Sequence, residues 1–148
     1  MSLMPMPTEP RIRPFEEEDA PKVIALWNRV LADGSPHNDP ALAIRKKTEV
    51  DDELFFVAEV DSRLVGTVMG GYDGHRGWIY ALAVEPEHQR QGIGRALIAH
   101  LESALLERGC LKINLQVRAS NESVIAFYEK LGYQVEERVS MGKRMDEA

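Results

Sequence analysis

Hydrophobic and polar positions change their period several times along the chain, and each change predicts an element. "RIRPF" predicts a short strand ended by Pro14. In "EEEDAPKVIALWNRVL" the acids of the first turn suit the positive end of a helix. Val23, Leu26, Trp27, Val30 and Leu31 recur at helical spacing, so an amphipathic first helix is expected. Asp39 followed by Pro40 is a helix-start signal, and "ALAIRKKTEV" continues it as a second, shorter helix. "ELFFVAEV", "RLVGTVMGGY" and "WIYALAVE" are three strand-like runs joined by the turns "DSR" and "DGHRG", which predicts an antiparallel meander. "GRALIAHLESALLERG" places Leu97, Ile98, Leu101, Ala104 and Leu105 on one helical face and closes with Gly109 as a C-terminal cap. "KINLQV" predicts a strand, "SNESVIAFYEKLG" a capped helix ending in glycine, and "YQVEERV" and "GKRM" two closing strands.

The order is strand, two helices, three strands, helix, strand, helix and two strands, a mixed α/β (α+β) domain. "MSLMPMPTEP" has three prolines and no period, so residues 1–10 read as an expression scar or disordered arm, with one domain over residues 11–148. No internal repeat interrupts it.

Composition narrows the function. At 148 residues the chain is long enough to bury a core without metal or disulfide support. A net charge of -6 argues against a nucleic-acid partner, whose phosphates need a concentrated basic field, and favours small cationic or amine substrates. No apolar run approaches the roughly 18 residues of a membrane helix, so no membrane partner is expected. Cys110 is the single cysteine, and a charged-then-apolar leader is absent, which predicts a cytoplasmic protein. His75, His88 and His100 lack metal-ligand spacing, so no metal is expected.

The chemistry-bearing stretch is "HQRQGIGRA", between the third strand of the meander and the long helix. A strand that stops where a helix starts leaves N–H groups unpaired at the positive end of the helix dipole, and glycines let an anion come close. A nucleoside-triphosphate loop is excluded because no Lys-Ser/Thr pair follows the glycines. A dinucleotide loop is weak because Leu97 stands where a third glycine belongs. A cradle for the pyrophosphate of coenzyme A remains, beside a purely structural glycine pair.

"LAVEPEHQRQGIGRALIAHLE", followed by "VRASNESVIAFYEKLGY", resembles the GCN5-related N-acetyltransferases (GNAT), with a Gln/Arg-x-x-Gly-x-Gly loop and a downstream Asn and Tyr. The resemblance covers nearly everything after Arg11, and the chain is similar to the bacterial ribosomal-protein-alanine acetyltransferase-like branch. It implies a single mixed, mostly antiparallel sheet of six to seven strands flanked by about four helices. It also implies acetyl-CoA as co-substrate, with direct acetyl transfer to a primary amine of a small molecule or peptide. By the same resemblance Arg90, Gln91, Gly92, Ile93, Gly94 and Arg95 surround the pyrophosphate. Leu82, Ala83 and Val84 fall at a strand end that separates from its neighbour and faces the pantetheine arm, with the Leu82 N–H as oxyanion donor. Asn121 binds the cofactor arm, and Tyr128 protonates the departing thiolate.

One departure is informative. Relatives that acetylate protein N-termini carry a glutamate base directly before "VRASN", and here that residue is Gln116. Glu85, Asp73 and Tyr80 are the substitutes considered. A non-catalytic acyl-CoA-binding sensor and an enzyme for longer acyl chains remain alternatives, and the acceptor and a homodimeric state are left open.

Overall fold

A computed structural model describes residues 9–31 and 38–146. The expected N-terminal arm therefore lies outside the described residues except for Glu9 and Pro10. Five strands form one sheet in the order β1 (Arg11–Pro14), β2 (Phe55–Val60), β3 (Arg63–Tyr72), β4 (Gly77–Val84) and β5 (Ile113–Asn114). The first four pair antiparallel, and β5 pairs parallel to β4. Among the described residues four α-helices accompany them: α1 (Ala20–Val30), α2 (Pro40–Val50), α3 (Ile93–Glu107) and α4 (Glu122–Lys130). The chain forms two compact units, one up to Leu115 and one from Gln116.

In the first unit both faces of the sheet are covered. Val23, Leu26 and Trp27 of α1 and Ile44 of α2 pack on Phe55, Val57, Met69 and Ala83. The opposite face lies beneath α3, and two glycines set how close that helix comes. A Cβ on Gly66 would meet Leu97 Cδ1 at 3.0 Å, and one on Gly70 would meet Leu101 Cδ1 at 2.4 Å. Close packing of this kind keeps the apolar faces of the helix and sheet out of water, the main favourable term in folding.

The helix signals act where the sequence places them. Asp39 caps α2 by accepting a hydrogen bond from Leu42 N at 3.1 Å, and Pro40 follows in the first turn. Gly109 and Gly132 sit after α3 and α4 at φ +87° and +98°. Arg13 ties β1 to the turn before α1 by a bidentate pair with Asp19, both contacts 2.8 Å, and also binds Glu59 of β2. That pairing holds the Asp19 carboxyl below the ordinary carboxylate value, despite its burial.

Four expectations are corrected. Among the described residues the sheet has five strands rather than six to seven, because "YQVEERV" and "GKRM" form none. "KINLQV" contributes only Ile113–Asn114. Helix α2 is as long as α1, eleven residues each, because its helical backbone continues to Val50 and stops only where Asp51 enters the left-handed region at φ +53°. Leu31 lies past the last turn of α1 and is exposed rather than on the buried face.

Candidate active site

The end of β4 is irregular in a specific way. Thr67 pairs with Ala83 and Met69 pairs with Tyr80, so two steps along β3 face three along β4, and Ala81 and Leu82 together oppose Val68 as a bulge that holds one extra residue on β4. The facing of side chains shows the same break. A Cβ on Gly77 would meet Cys110 and Leu105 on the α3 side, whereas Ala83, six residues on, packs with Val23, Leu26 and Trp27 on the other side. An unbroken strand would put both on one face. Ala81 adopts φ +49°, a left-handed conformation that an L-residue holds only when its surroundings impose it. Pairing with β5 occurs only at Gly77 and Trp78, so β4 runs on to Val84 without it.

Directly after this strand, one turn of 3₁₀ helix over Pro86–His88 leads into the glycine loop. The loop is pinned both to the sheet and to itself. Glu85 N donates to Val65 O at 2.8 Å, His88 N to Glu85 O at 2.8 Å, and Gln89 Nε2 to Val84 O at 3.2 Å. Arg90 and Gly92 take φ +64° and +84°, which turns the chain sharply into α3. Gly92 is the N-cap and offers no side chain to the first-turn N–H groups, and no atom lies within 4 Å of where its Cβ would stand. Arg90, Gln91, Gly92 and Arg95 are exposed around this helix end, Gly94 is half-buried, and Ile93 is buried against the strand beneath. The start of α3 has no side-chain cap, its dipole is positive, and exposed Arg90 and Arg95 flank it in sequence, a combination that suits an anion. Thus Leu82, Ala83, Val84, the arginines and both loop glycines come together at one strand–loop–helix connection of the first unit.

Asn121 and Tyr128 belong to the second unit, on one helix. Asn121 Oδ1 accepts from Val124 N at 3.4 Å and caps α4. Tyr128 is buried, edge-on to Tyr133 with ring centroids 5.6 Å apart, and burial pushes its phenol up to about 12. Gln116 is exposed, and its Nε2 donates to Ser140 Oγ.

Two of the three substitute bases are already engaged. Asp73 Oδ1 accepts from Arg76 N at 2.7 Å and His75 N at 2.8 Å, which fixes the β3–β4 turn and lowers the carboxyl's pKa. Glu85 is ion-paired with Arg29 of α1. Tyr80 is half exposed, and partial burial together with the charge of Asp73 raises its phenol pKa. Sequence reasoning missed Thr67 and the second role of Trp27. Trp27 Nε1 donates to Thr67 Oγ1 at 2.8 Å, and Thr67 Oγ1 donates to Ala81 O at 3.0 Å. The available signal was a lone hydroxyl in the apolar run "LVGTVMG".

The profile of the acetyltransferase (GNAT) family matches residues 14–133. An acetyltransferase of Yersinia pestis (strain Pestoides F) is 47% identical over 136 residues, covering 90% of this chain and 94% of that protein. The ribosomal-protein-S18-alanine N-acetyltransferase of Escherichia coli superposes with a TM-score of 0.68 at 29% identity, over 84% of this chain and 77% of that one. An aminoglycoside N-acetyltransferase, AAC(6')-Iy, in complex with CoA shares the fold at TM-score 0.79 and 18% identity, over 97% and 99% of the two chains. Among the described residues no helix is long and apolar enough to cross a membrane.

Proposed function

Because the chain belongs to the GNAT acetyltransferase family and is an N-acetyltransferase, we propose that it moves the acetyl group of acetyl-CoA directly to a primary amine. The acceptor proposed is a small molecule or a peptide N-terminus. The observation that carries this reading is the uncapped start of α3, bounded by Arg90, Gly92 and Arg95, placed immediately after a bulged strand end. Those residues fit a pyrophosphate: backbone N–H groups, a helix dipole and cations act together on its charge. Acetyl-CoA supplies a thioester whose carbonyl carbon accepts the amine nitrogen. The C–N bond forms, the C–S bond breaks, and the electron pair leaves with sulfur.

In this reading Leu82 N–H stabilises the negative charge that develops on the acetyl oxygen, a contribution of about 3 kcal/mol for one well-placed donor. Asn121 holds the cofactor arm. Tyr128, which keeps its proton at every physiological pH, donates to the departing sulfur. The missing base follows from Gln116: with Asp73 committed to its turn and Glu85 to Arg29, the acceptor amine loses its proton to water before attack.

The test is thiol release from acetyl-CoA against a panel of alkylamines, aminoglycosides and alanine-ended peptides, with CoA affinity measured separately by calorimetry. Amine-dependent release with micromolar CoA binding is the expected result. CoA binding without release from any amine would favour an acyl-CoA sensor, and absence of CoA binding would end the proposal.

A further inference from the structure

The bulge in β4 is held by two buried side chains outside the loop and the strand end. We propose that Thr67 and Trp27 are positioning residues that aim the Leu82 amide, an inference that rests on the oxyanion role proposed above.

Chemistry dictates the direction of the relay. An indole N–H can only donate, so the Thr67 hydroxyl accepts from Trp27 Nε1, and its single proton is left for the Ala81 carbonyl. Thr67 is fully buried and Trp27 nearly so, which leaves the pair no water to exchange with. The carbonyl of Ala81 and the N–H of Leu82 share one peptide plane. No peptide bond in the described residues is cis, so in this trans unit the two groups point in opposite directions. Anchoring Ala81 O on Thr67 of β3 therefore sends Leu82 N–H away from β3, toward the edge of β4 where pairing with β5 has stopped. Ala81 at φ +49° is the strained joint of this arrangement. Without the hydroxyl, the carbonyl has no reason to stay turned and the strained residue is free to relax, which rotates the same peptide plane.

Substitution at Thr67 separates aiming from folding and from cofactor capture. Thr67→Val keeps the shape and removes both hydrogen bonds, whereas Thr67→Ser keeps both. With the amine that gives the fastest thiol release, Thr67→Val should lower kcat by about 10- to 100-fold, the loss expected when an oxyanion donor is displaced by a fraction of its bond length. Affinity for CoA itself, which lacks the acetyl oxygen, should stay within about twofold, and Thr67→Ser should restore most of kcat. Trp27→Phe reads the relay from its other end should Thr67→Val fail to fold. A kcat fall of about 3- to 10-fold, again with CoA affinity retained, is expected there. A folded Thr67→Val or Trp27→Phe protein at full kcat would overturn the inference, as would a Thr67→Ser protein no faster than Thr67→Val. Parent protein that neither binds CoA nor releases thiol would instead bring down the oxyanion reading, and this inference with it.

Discussion

Gly92→Val separates what the protein needs at the loop from what its ligand needs. Gly92 sits at φ +84°, where an L-residue costs about 1–2 kcal/mol. That strain is the main internal cost, because no other part of the protein lies within 4 Å of the position a Cβ would take. At about 2.1 cal/mol/K of unfolding entropy per residue, 148 residues lose about 3 °C in Tm for each kcal/mol, so the apo protein should melt about 3–6 °C lower. Any loss of CoA affinity is then external: the branched side chain occupies the space through which a pyrophosphate reaches the amides of the α3 start. A weakening of at least about tenfold, or 1.4 kcal/mol, is expected. Gly92→Asn is the control, since Asn tolerates the left-handed region but still carries a side chain. It should recover most of the lost Tm and little of the lost affinity. Differential scanning calorimetry and titration calorimetry with CoA measure the two quantities independently. A Gly92→Val protein that binds CoA as tightly as the parent would refute the placement of the pyrophosphate at this loop, whatever its Tm.

Tyr128→Phe keeps the buried ring and removes only the phenolic proton, so kcat should fall about 10²-fold with CoA affinity unchanged, measured by thiol release and calorimetry. On the proposal that Gln116 leaves the site without a carboxylate base, turnover at subsaturating alkylamine should keep rising toward the amine pKa of about 10, and Gln116→Glu should add an acidic limb to the pH profile; a plateau near pH 7 in the parent would point to an unrecognised base. Asp19→Asn should destabilise the fold by about 1.5–3 kcal/mol at pH 7 in urea titrations by weakening the pair with Arg13. Because the folded carboxyl lies below its ordinary value of 3.8, the parent's advantage should be complete above that pH and vanish as pH falls through the folded-state pKa.

Much of this architecture is local and therefore legible along the chain. The face of α1 that carries Val23, Leu26 and Trp27, the Asp39-Pro40 start of α2 and the glycine stops at Gly109 and Gly132 each depend on residues within a few positions of one another. So does the uncapped start of α3, since helix N-termini and left-handed glycines are properties of a short segment. The motif around "QRQGIG" was readable for the same reason. What could not be read is whatever needs a partner strand. "YQVEERV" alternates as a strand should, yet a strand exists only through its ladder with another, which alternation in one segment does not specify, and among the described residues none forms there. The bulge at Ala81 is invisible in "WIYALAVE", because an extra residue exists only relative to the register of β3. Gly66 and Gly70 gain their meaning from α3, some thirty residues away. Trp27 reads from sequence as one more apolar position on a helix. Only tertiary folding brings its indole N–H across 40 residues to Thr67, and so to the peptide that carries the Leu82 amide.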